Sequence, residues 1–398
     1  MNPVNLAQVR AAMDTASEAE LRRRGSLKWT LPPDGTIGAF VAETDLPLAP
    51  AIRDAIDDAV TRGLTTYLPP ALAARASAAC AEFIGARYGW QVEATDVHQM
   101  SGVLHILEFV LRRMLPPGTP VVLPLPTYMP FLMFADEFGA DLRTVPMMTP
   151  AVGSGDAYTL DLAALREALT KDVPDTGALL VLINPHNPTG RVFTRDELSA
   201  LASVVDETGA TVFADEIHAP LVYPGGVHVP YASLSEVTAA HTLTAMSASK
   251  GWNVPGLNCG QLIVSSDRWR ERLAGAGVWV SIGTSPLGAV AAEAAYSAGV
   301  DHLDACVTYL DEGRQLFAAA LARSLPAAGF RPPEGTYLGW VDLRGVADPA
   351  VVPELCQVLG TDGTDCGTPG FLRLTLGTAH PILAEMAERL GRLGGAAG

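Results

Sequence analysis

Lysine is nearly absent from this 398-residue chain: only Lys28, Lys171 and Lys250 occur, and arginine supplies the remaining side-chain positive charge apart from histidine. The formal net charge of −16 leaves no broad basic surface. That argues against nucleic acid or an anionic membrane as partner, and it requires any anion site to be local. Paired cysteine spacing is missing as well. Cys80, Cys259, Cys306, Cys356 and Cys366 are odd in number and scattered, so neither a disulfide framework nor a zinc site is expected, and no metal is assigned. No apolar run approaches membrane-spanning length, and residues 1–25 are polar and charged without the apolar core of a secretory signal, so a soluble cytoplasmic protein is expected.

What the chain does contain is an alternation of helical patterns with short runs apolar on both faces. Pro120-Val121-Val122-Leu123, Ala178 to Ile183, Thr211 to Ala214 and Gln261 to Val264 are such runs. Continuous apolar runs separated by helices predict an α/β fold with a mostly parallel sheet covered on both faces. Between them Val103, Leu104, Leu107, Val110, Leu111 and Met114 recur at helical spacing, in a helix starting near Ser101-Gly102 whose first turn offers free amides. After about residue 285 the pattern changes to long amphipathic helices followed by short strands near 337–341 and 371–374, as in a smaller α+β domain. The expected division is 1–45, an N-terminal segment packing with the small domain, then 46–285, the large domain, and 286–398, the small one.

Lys250 follows a buried-strand pattern, Thr242 to Met246, and sits between small hydroxyl residues and a glycine in Ser247-Ala248-Ser249-Lys250-Gly251. Groups at the carboxyl ends of such strands line ligand crevices, and an amine kept there by a lysine-poor chain suits Schiff-base chemistry. The run ending at Ile183 leads straight into Asn184-Pro185-His186-Asn187-Pro188-Thr189-Gly190, whose prolines and glycine aim Asn187 over the sheet edge. Thr211 to Ala214 delivers Asp215 to an equivalent strand end. A carboxylate there needs a cation or hydrogen bonds: a helix cap or ion pair serves, and so does a protonated pyridine nitrogen. Arg373 lies on an apolar strand, where it either faces a pocket or forms a structural salt bridge.

On these residues the chain resembles, over almost its whole length, the fold type I, aminotransferase-like family of pyridoxal 5'-phosphate enzymes. Val41-Ala42-Glu43-Thr44-Asp45, Asp215-Glu216-Ile217-His218-Ala219-Pro220, Met246 to Lys250 and Glu334-Gly335-Thr336-Tyr337-Leu338 resemble its cystathionine beta-lyase-like branch of MalY/PatB type. The resemblance implies pyridoxal 5'-phosphate as cofactor. Lys250 would be its Schiff-base residue and the base for the α-proton, Asp215 the partner of the pyridine nitrogen, Asn187 a donor to the ring's phenolic oxygen, and Tyr128 a stacking ring. Gly102 and Val103 would offer amides to the phosphate, and Ser247 and Ser249 hydroxyls. Tyr67 would reach the phosphate of a neighbouring subunit, implying a homodimer with a shared active site; ordinary core packing is the competing role. Arg373 would clamp the substrate carboxylate.

His218 stands where many aminotransferases of this fold carry tyrosine, as in the lyase-like branch, although a core histidine would look the same. Thr44 replaces the usual methionine in a segment expected beside the substrate. The stretch between Arg344 and Arg373 is shorter than in relatives of this type, implying a wider mouth. The expected activity is therefore carbon–sulfur beta-elimination from a cysteine S-conjugate, a bulky one from specialised metabolism. Transamination, oxidative deamination or decarboxylation, and a non-catalytic regulatory role on the same fold remain alternatives.

Overall fold

Runs buried on both faces build the central sheet of the computed structural model, which describes residues 3–152 and 154–395. Its strands are β1 (Val97–Met100), β2 (Val121–Leu125), β3 (Leu142–Pro146), β4 (Leu179–Ile183), β5 (Thr211–Asp215), β6 (Thr242–Met246) and β7 (Gly260–Val264), in the order β1-β7-β6-β5-β4-β2-β3. Every neighbouring pair is parallel except those made by β7. Alternate residues of one strand feed opposite faces, as the two-residue period requires. Leu179, Val181 and Ile183 join the apolar cluster around the helix Val103–Phe109. Leu180 and Leu182 join the one beneath the helices Leu162–Thr170 and Arg195–Thr208. The four apolar runs read from the sequence are β2, β4, β5 and β7. The polar Val-His-Gln-Met of β1 and the mostly uncovered edge strand β3 give no such signal.

The smaller sheet comprises β8 (Gly329–Phe330), β9 (Leu338–Asp342), β10 (Thr361–Asp362) and β11 (Phe371–Thr375), antiparallel in the order β10-β11-β9-β8. Helices Val300–Ser324 and His380–Leu390 contribute its apolar cover. The helix Pro286–Ala298 packs instead with Pro50–Thr61 and Pro70–Tyr88. The passage between layers runs along Val300–Ser324: Leu303 and Leu310 pack in the apolar cluster of Pro50–Thr61, Pro70–Tyr88 and Pro286–Ala298, Phe317 and Leu321 in that of the small sheet. The short stretch 345–370 is folded rather than a bare link, and it supplies the edge strand β10. The five cysteines are buried and unpaired, and among the described residues no helix is long and apolar enough to cross a membrane.

The N-terminal segment crosses from the small layer to the carboxyl edge of the large sheet. Ile37–Gly38 pairs in parallel with Val358–Leu359, and Gly38 lies so close to Lys28 that a Cβ would sit 1.8 Å from its carbonyl oxygen. The Lys28 side chain, fully buried, donates to Asp45 Oδ2 at 2.6 Å and to the Gly377 carbonyl at 3.3 Å, while Trp29 Nε1 donates to Asp45 Oδ1 at 2.7 Å. Removing one member of such a pair strands the other charge, at a cost of about 3–5 kcal/mol. Lys28→Met is therefore expected to lower the urea midpoint by that equivalent, and Lys28→Met with Asp45→Asn to recover much of it. A single variant within about 1 kcal/mol of wild type contradicts this account.

Candidate active site

Six strand ends deliver side chains to one edge of the sheet. Tyr128 follows β2, Asn187 follows β4, Asp215 ends β5, Ser247 to Lys250 follow β6, and Ser101 to Val103 follow β1. Because β7 runs the other way, its amino end brings Asn258 and Cys259 to the same edge. They line a cavity of about 230 Å³, with His218 and the backbone of Ala42 on its wall. This is the crevice position that open α/β sheets offer ligands.

Asp215 is buried and accepts a hydrogen bond from the Ile217 amide at 3.1 Å. Burial pushes its carboxyl up to about 7 despite that bond and the attraction of Lys250. Lys250 is shifted the other way, down to about 8, by burial and by the Arg373 guanidinium. Its Nζ donates to the Ala42 carbonyl at 2.8 Å, a bond that a neutral amine also makes. His218 Nδ1 is buried without a partner, its ring meets Tyr337 edge-on with centroids 6.0 Å apart, and burial holds it neutral. Burial also raises the Tyr128 phenol.

Arg373 stands behind Asn187, donating to its Oδ1 at 3.3 Å. A second nitrogen bonds the Phe40 carbonyl at 2.7 Å and Thr361 Oγ1 at 3.2 Å, and Nε has no partner. No carboxylate pairs with it among the described residues, so the salt-bridge alternative gives way to a buried cation with donor capacity to spare. The arrangement fits pyridoxal 5'-phosphate. Asp215 lacks a cation that a pyridinium nitrogen supplies, Lys250 offers a partly deprotonated amine, and Val103 and Leu104 carry first-turn amides without intrahelical acceptors.

Other expected residues lie differently. Ser247 lines the cavity, but its hydroxyl donates to the Cys259 carbonyl at 2.6 Å and accepts from the Ser249 amide, so its single proton is committed to the fold; Ser249 keeps its hydroxyl. Thr44 does not line the cavity. Its side chain packs on Gly377, where a Cβ would come within 2.5 Å of the methyl, and Asn253 holds its backbone on both sides. Tyr67 is 96% exposed and outside its own chain's cavity, so it is not core. His105, Asn258 and the Ala42 carbonyl were not read from the sequence. Asn258 was reachable only by knowing that β7 is reversed, and His105 only by following the helix start one turn inward.

Comparison with known proteins places the site in context. Residues 37–390 match the model of the aminotransferase class I and II family. Cystathionine beta-lyase of Corynebacterium glutamicum is 32% identical over 93% of this chain and 97% of its own. Cystathionine beta-lyase PatB of Bacillus subtilis is 30% identical over 88% and 90%. A crystal structure from Corynebacterium diphtheriae, provisionally named a pyridoxal phosphate-dependent beta-cystathionase, superposes with a TM-score of 0.87 at 31% identity, covering 96% of this chain and 99% of its own.

The burial of Asp215 has a measurable consequence in the ligand-free protein. Its carboxyl titrates near 3.8 when unfolded and at about 7 when folded, so between those values the folded state holds a proton that the unfolded state has released. Stability contributed by Asp215 is thus present at low pH and lost as pH rises through that window. Asp215→Asn removes the dependence: between pH 5 and pH 7.5 wild type is expected to lose on the order of a few kcal/mol relative to the variant in urea unfolding. Parallel pH profiles contradict the assignment.

Proposed function

The chain belongs to the aminotransferase class I and II family, in the branch of the cystathionine beta-lyases, and from that premise we propose that it is a pyridoxal 5'-phosphate-dependent carbon–sulfur beta-lyase acting on bulky cysteine S-conjugates of specialised metabolism. The observation that carries this reading is the convergence of Lys250, Asp215 and Asn187 on one cavity, with the carboxylate-free Arg373 directly behind. Pyridoxal 5'-phosphate, when bound, supplies an aldehyde carbon for amine linkage and a ring that withdraws electrons from the substrate's α-carbon.

Asp215 would hold the ring nitrogen of the bound cofactor protonated, and would itself be charged beside that cation. Arg373 holds the α-carboxylate through its planar fork, releasing Phe40 or Asn187 as it does so, and this fixes which α-bond faces Lys250. Lys250 takes the α-proton with its neutral amine, a form that burial and Arg373 make more accessible by lowering its titration to about 8. The Cβ–S bond then breaks with its electron pair leaving on sulfur, and the thiolate is protonated. The three-carbon enamine left behind takes up water to give a keto acid and ammonia.

The cavity wall supports this substrate class. Ala42, Leu104, Ile217 and Pro255 are uncharged, and Asp215 is the sole carboxylate among its described lining residues. Cystathionine would bring a second ammonium and carboxylate into a space where this chain offers them no dedicated partner, whereas a neutral thioether substituent needs none. Tyr67 supports a homodimer: an aromatic ring left 96% exposed beside the helix Pro70–Tyr88 is suited to complete a neighbour's site.

Product analysis with the cofactor-loaded protein tests the reading. S-alkyl and S-aryl cysteines are expected to yield free thiol, keto acid and ammonia without an amino-group acceptor, and larger conjugates to turn over with higher kcat/KM than cystathionine. Dependence on a keto-acid acceptor would mean transamination, and aldehyde formation with oxygen uptake would mean oxidative decarboxylation. Lys250→Ala should lower kcat by roughly 10²–10⁴-fold, while Arg373→Lys should act mainly on KM by losing the fork.

A further inference from the structure

The Ala42 carbonyl carries two donors. Lys250 Nζ reaches it at 2.8 Å from beyond the end of β6, and the Tyr337 hydroxyl reaches it at 2.9 Å from the residue before β9. A carbonyl oxygen has two lone pairs, so these two bonds fill it. Ala42 lines the cavity, whereas Tyr337 is fully buried and does not. The strap, the large sheet and the small sheet therefore meet on one oxygen.

Tyr337 is fixed at that oxygen from several sides. Thr336, just before it, sits at φ +71°, a left-handed conformation that a β-branched residue rarely adopts and that persists only where the surroundings over-determine it. Here the Thr336 amide donates to the Leu221 carbonyl at 3.0 Å, its carbonyl accepts from the Tyr223 hydroxyl at 2.6 Å, and its Oγ1 accepts from the Leu338 amide at 3.1 Å. The Tyr337 carbonyl accepts from the Leu376 amide at 2.7 Å, and its ring meets His218 edge-on. Burial, helped by the Glu43 carboxylate, raises the phenol above its ordinary range, so the hydroxyl stays a donor.

The consequence falls on Lys250. Linking to the cofactor's aldehyde carbon, with loss of the aldehyde oxygen as water, requires the amine to leave Ala42, and so does taking the α-proton. A buried acceptor left without a donor would oppose that departure. With Tyr337 in place the oxygen keeps a bond when Lys250 goes, and while both donors are present they share its electron density, which loosens its hold on the amine. We propose that Tyr337 is a positioning residue that acts through the Ala42 carbonyl to release Lys250 for chemistry. The role in cofactor linkage rests on pyridoxal 5'-phosphate being the cofactor; the coupling of Tyr337 to the Lys250 amine does not.

Tyr337→Phe keeps the ring against His218 and deletes the hydroxyl. Because Lys250 still bonds Ala42, the unliganded variant orphans no acceptor and is expected to fold. Pyridoxal 5'-phosphate, which must draw Lys250 away, is expected to bind the variant roughly tenfold more weakly, while pyridoxamine 5'-phosphate, whose amine replaces the aldehyde and forms no link, stays within about twofold. The first is read from the absorbance of the lysine-linked form, the second from quenching of protein fluorescence. A measurement on the apoprotein needs neither ligand: cyanate carbamylates neutral amines, and peptide mass spectrometry resolves the three lysines, with the exposed Lys171 as internal reference. At neutral pH Lys250 is expected to react about threefold more slowly in Tyr337→Phe, the equivalent of half a pKa unit, and Lys171 at an unchanged rate. Unchanged affinity for pyridoxal 5'-phosphate, or equal losses for both ligands, overturns the proposal and leaves the cofactor reading intact. Wild-type protein that binds neither ligand overturns the cofactor reading, and the cyanate rates then decide the Tyr337 assignment: equal rates at Lys250 in the two proteins overturn it.

Discussion

A carboxylate buried at the end of a central strand, held by the Ile217 amide, sets the terms for the rest of the site. Asp215 cannot be solvated where β5 leaves it, and its tendency to hold a proton up to about pH 7 expresses that deficit. Lys250 is near enough to be felt electrostatically but donates to Ala42 instead, so its amine is free for chemistry rather than bound in an ion pair. An aromatic cation placed between them satisfies Asp215 and leaves Lys250 its lone pair. The sheet makes this possible by burying β4, β5 and β6 along their whole length, which fixes the three strand ends without relying on loop order.

The segment Phe40 to Asp45 connects the two layers through that site. Its Phe40 carbonyl accepts from Arg373 and Thr361, its Ala42 carbonyl from Lys250 and Tyr337, and its Asp45 carboxylate from Lys28 and Trp29. Cations or donors from the large sheet, the small sheet and the N-terminal helices therefore meet on six consecutive residues. Of the three lysines, two bond this strap, Lys28 in full burial and Lys250 at the cavity wall. Lys28 is thus not a surface charge but a fully buried one, paired with Asp45.

Local pattern was enough where local pattern decides the structure. Strands buried on both faces have continuous apolar runs, so β4, β5 and β6 were readable, and a residue just past such a run must lie at the sheet edge; that is why Asn187, Asp215 and Lys250 came together. Arg373 was readable for a similar reason, since every other residue of β11 is apolar or small. Strand direction is not written in such runs. The reversal of β7 follows from tertiary pairing with β1 and β6, and it alone carries Asn258 to the site. Thr44 and Ser247 were placed by resemblance of strings, but one atom's direction decides their roles: the Thr44 methyl packs on Gly377, and the Ser247 proton goes to Cys259.

Charge geometry also constrains how a substrate enters. A dianionic group would meet less repulsion at the β1–β7 side, where the cavity lining has no carboxylate among the described residues, than beside Asp215 on β5, and an amino-acid substrate would then lie nearer β4. There the cation on hand is Arg373, already bonded to Phe40 and Asn187 through neutral oxygens. A carboxylate displaces such contacts readily, because charge-assisted bonds are about twice as strong as neutral ones. If Arg373 binds a substrate carboxylate, as proposed, the strap that holds it would yield part of its grip, and Thr361, from the stretch between Arg344 and Arg373, would remain to keep the guanidinium aligned.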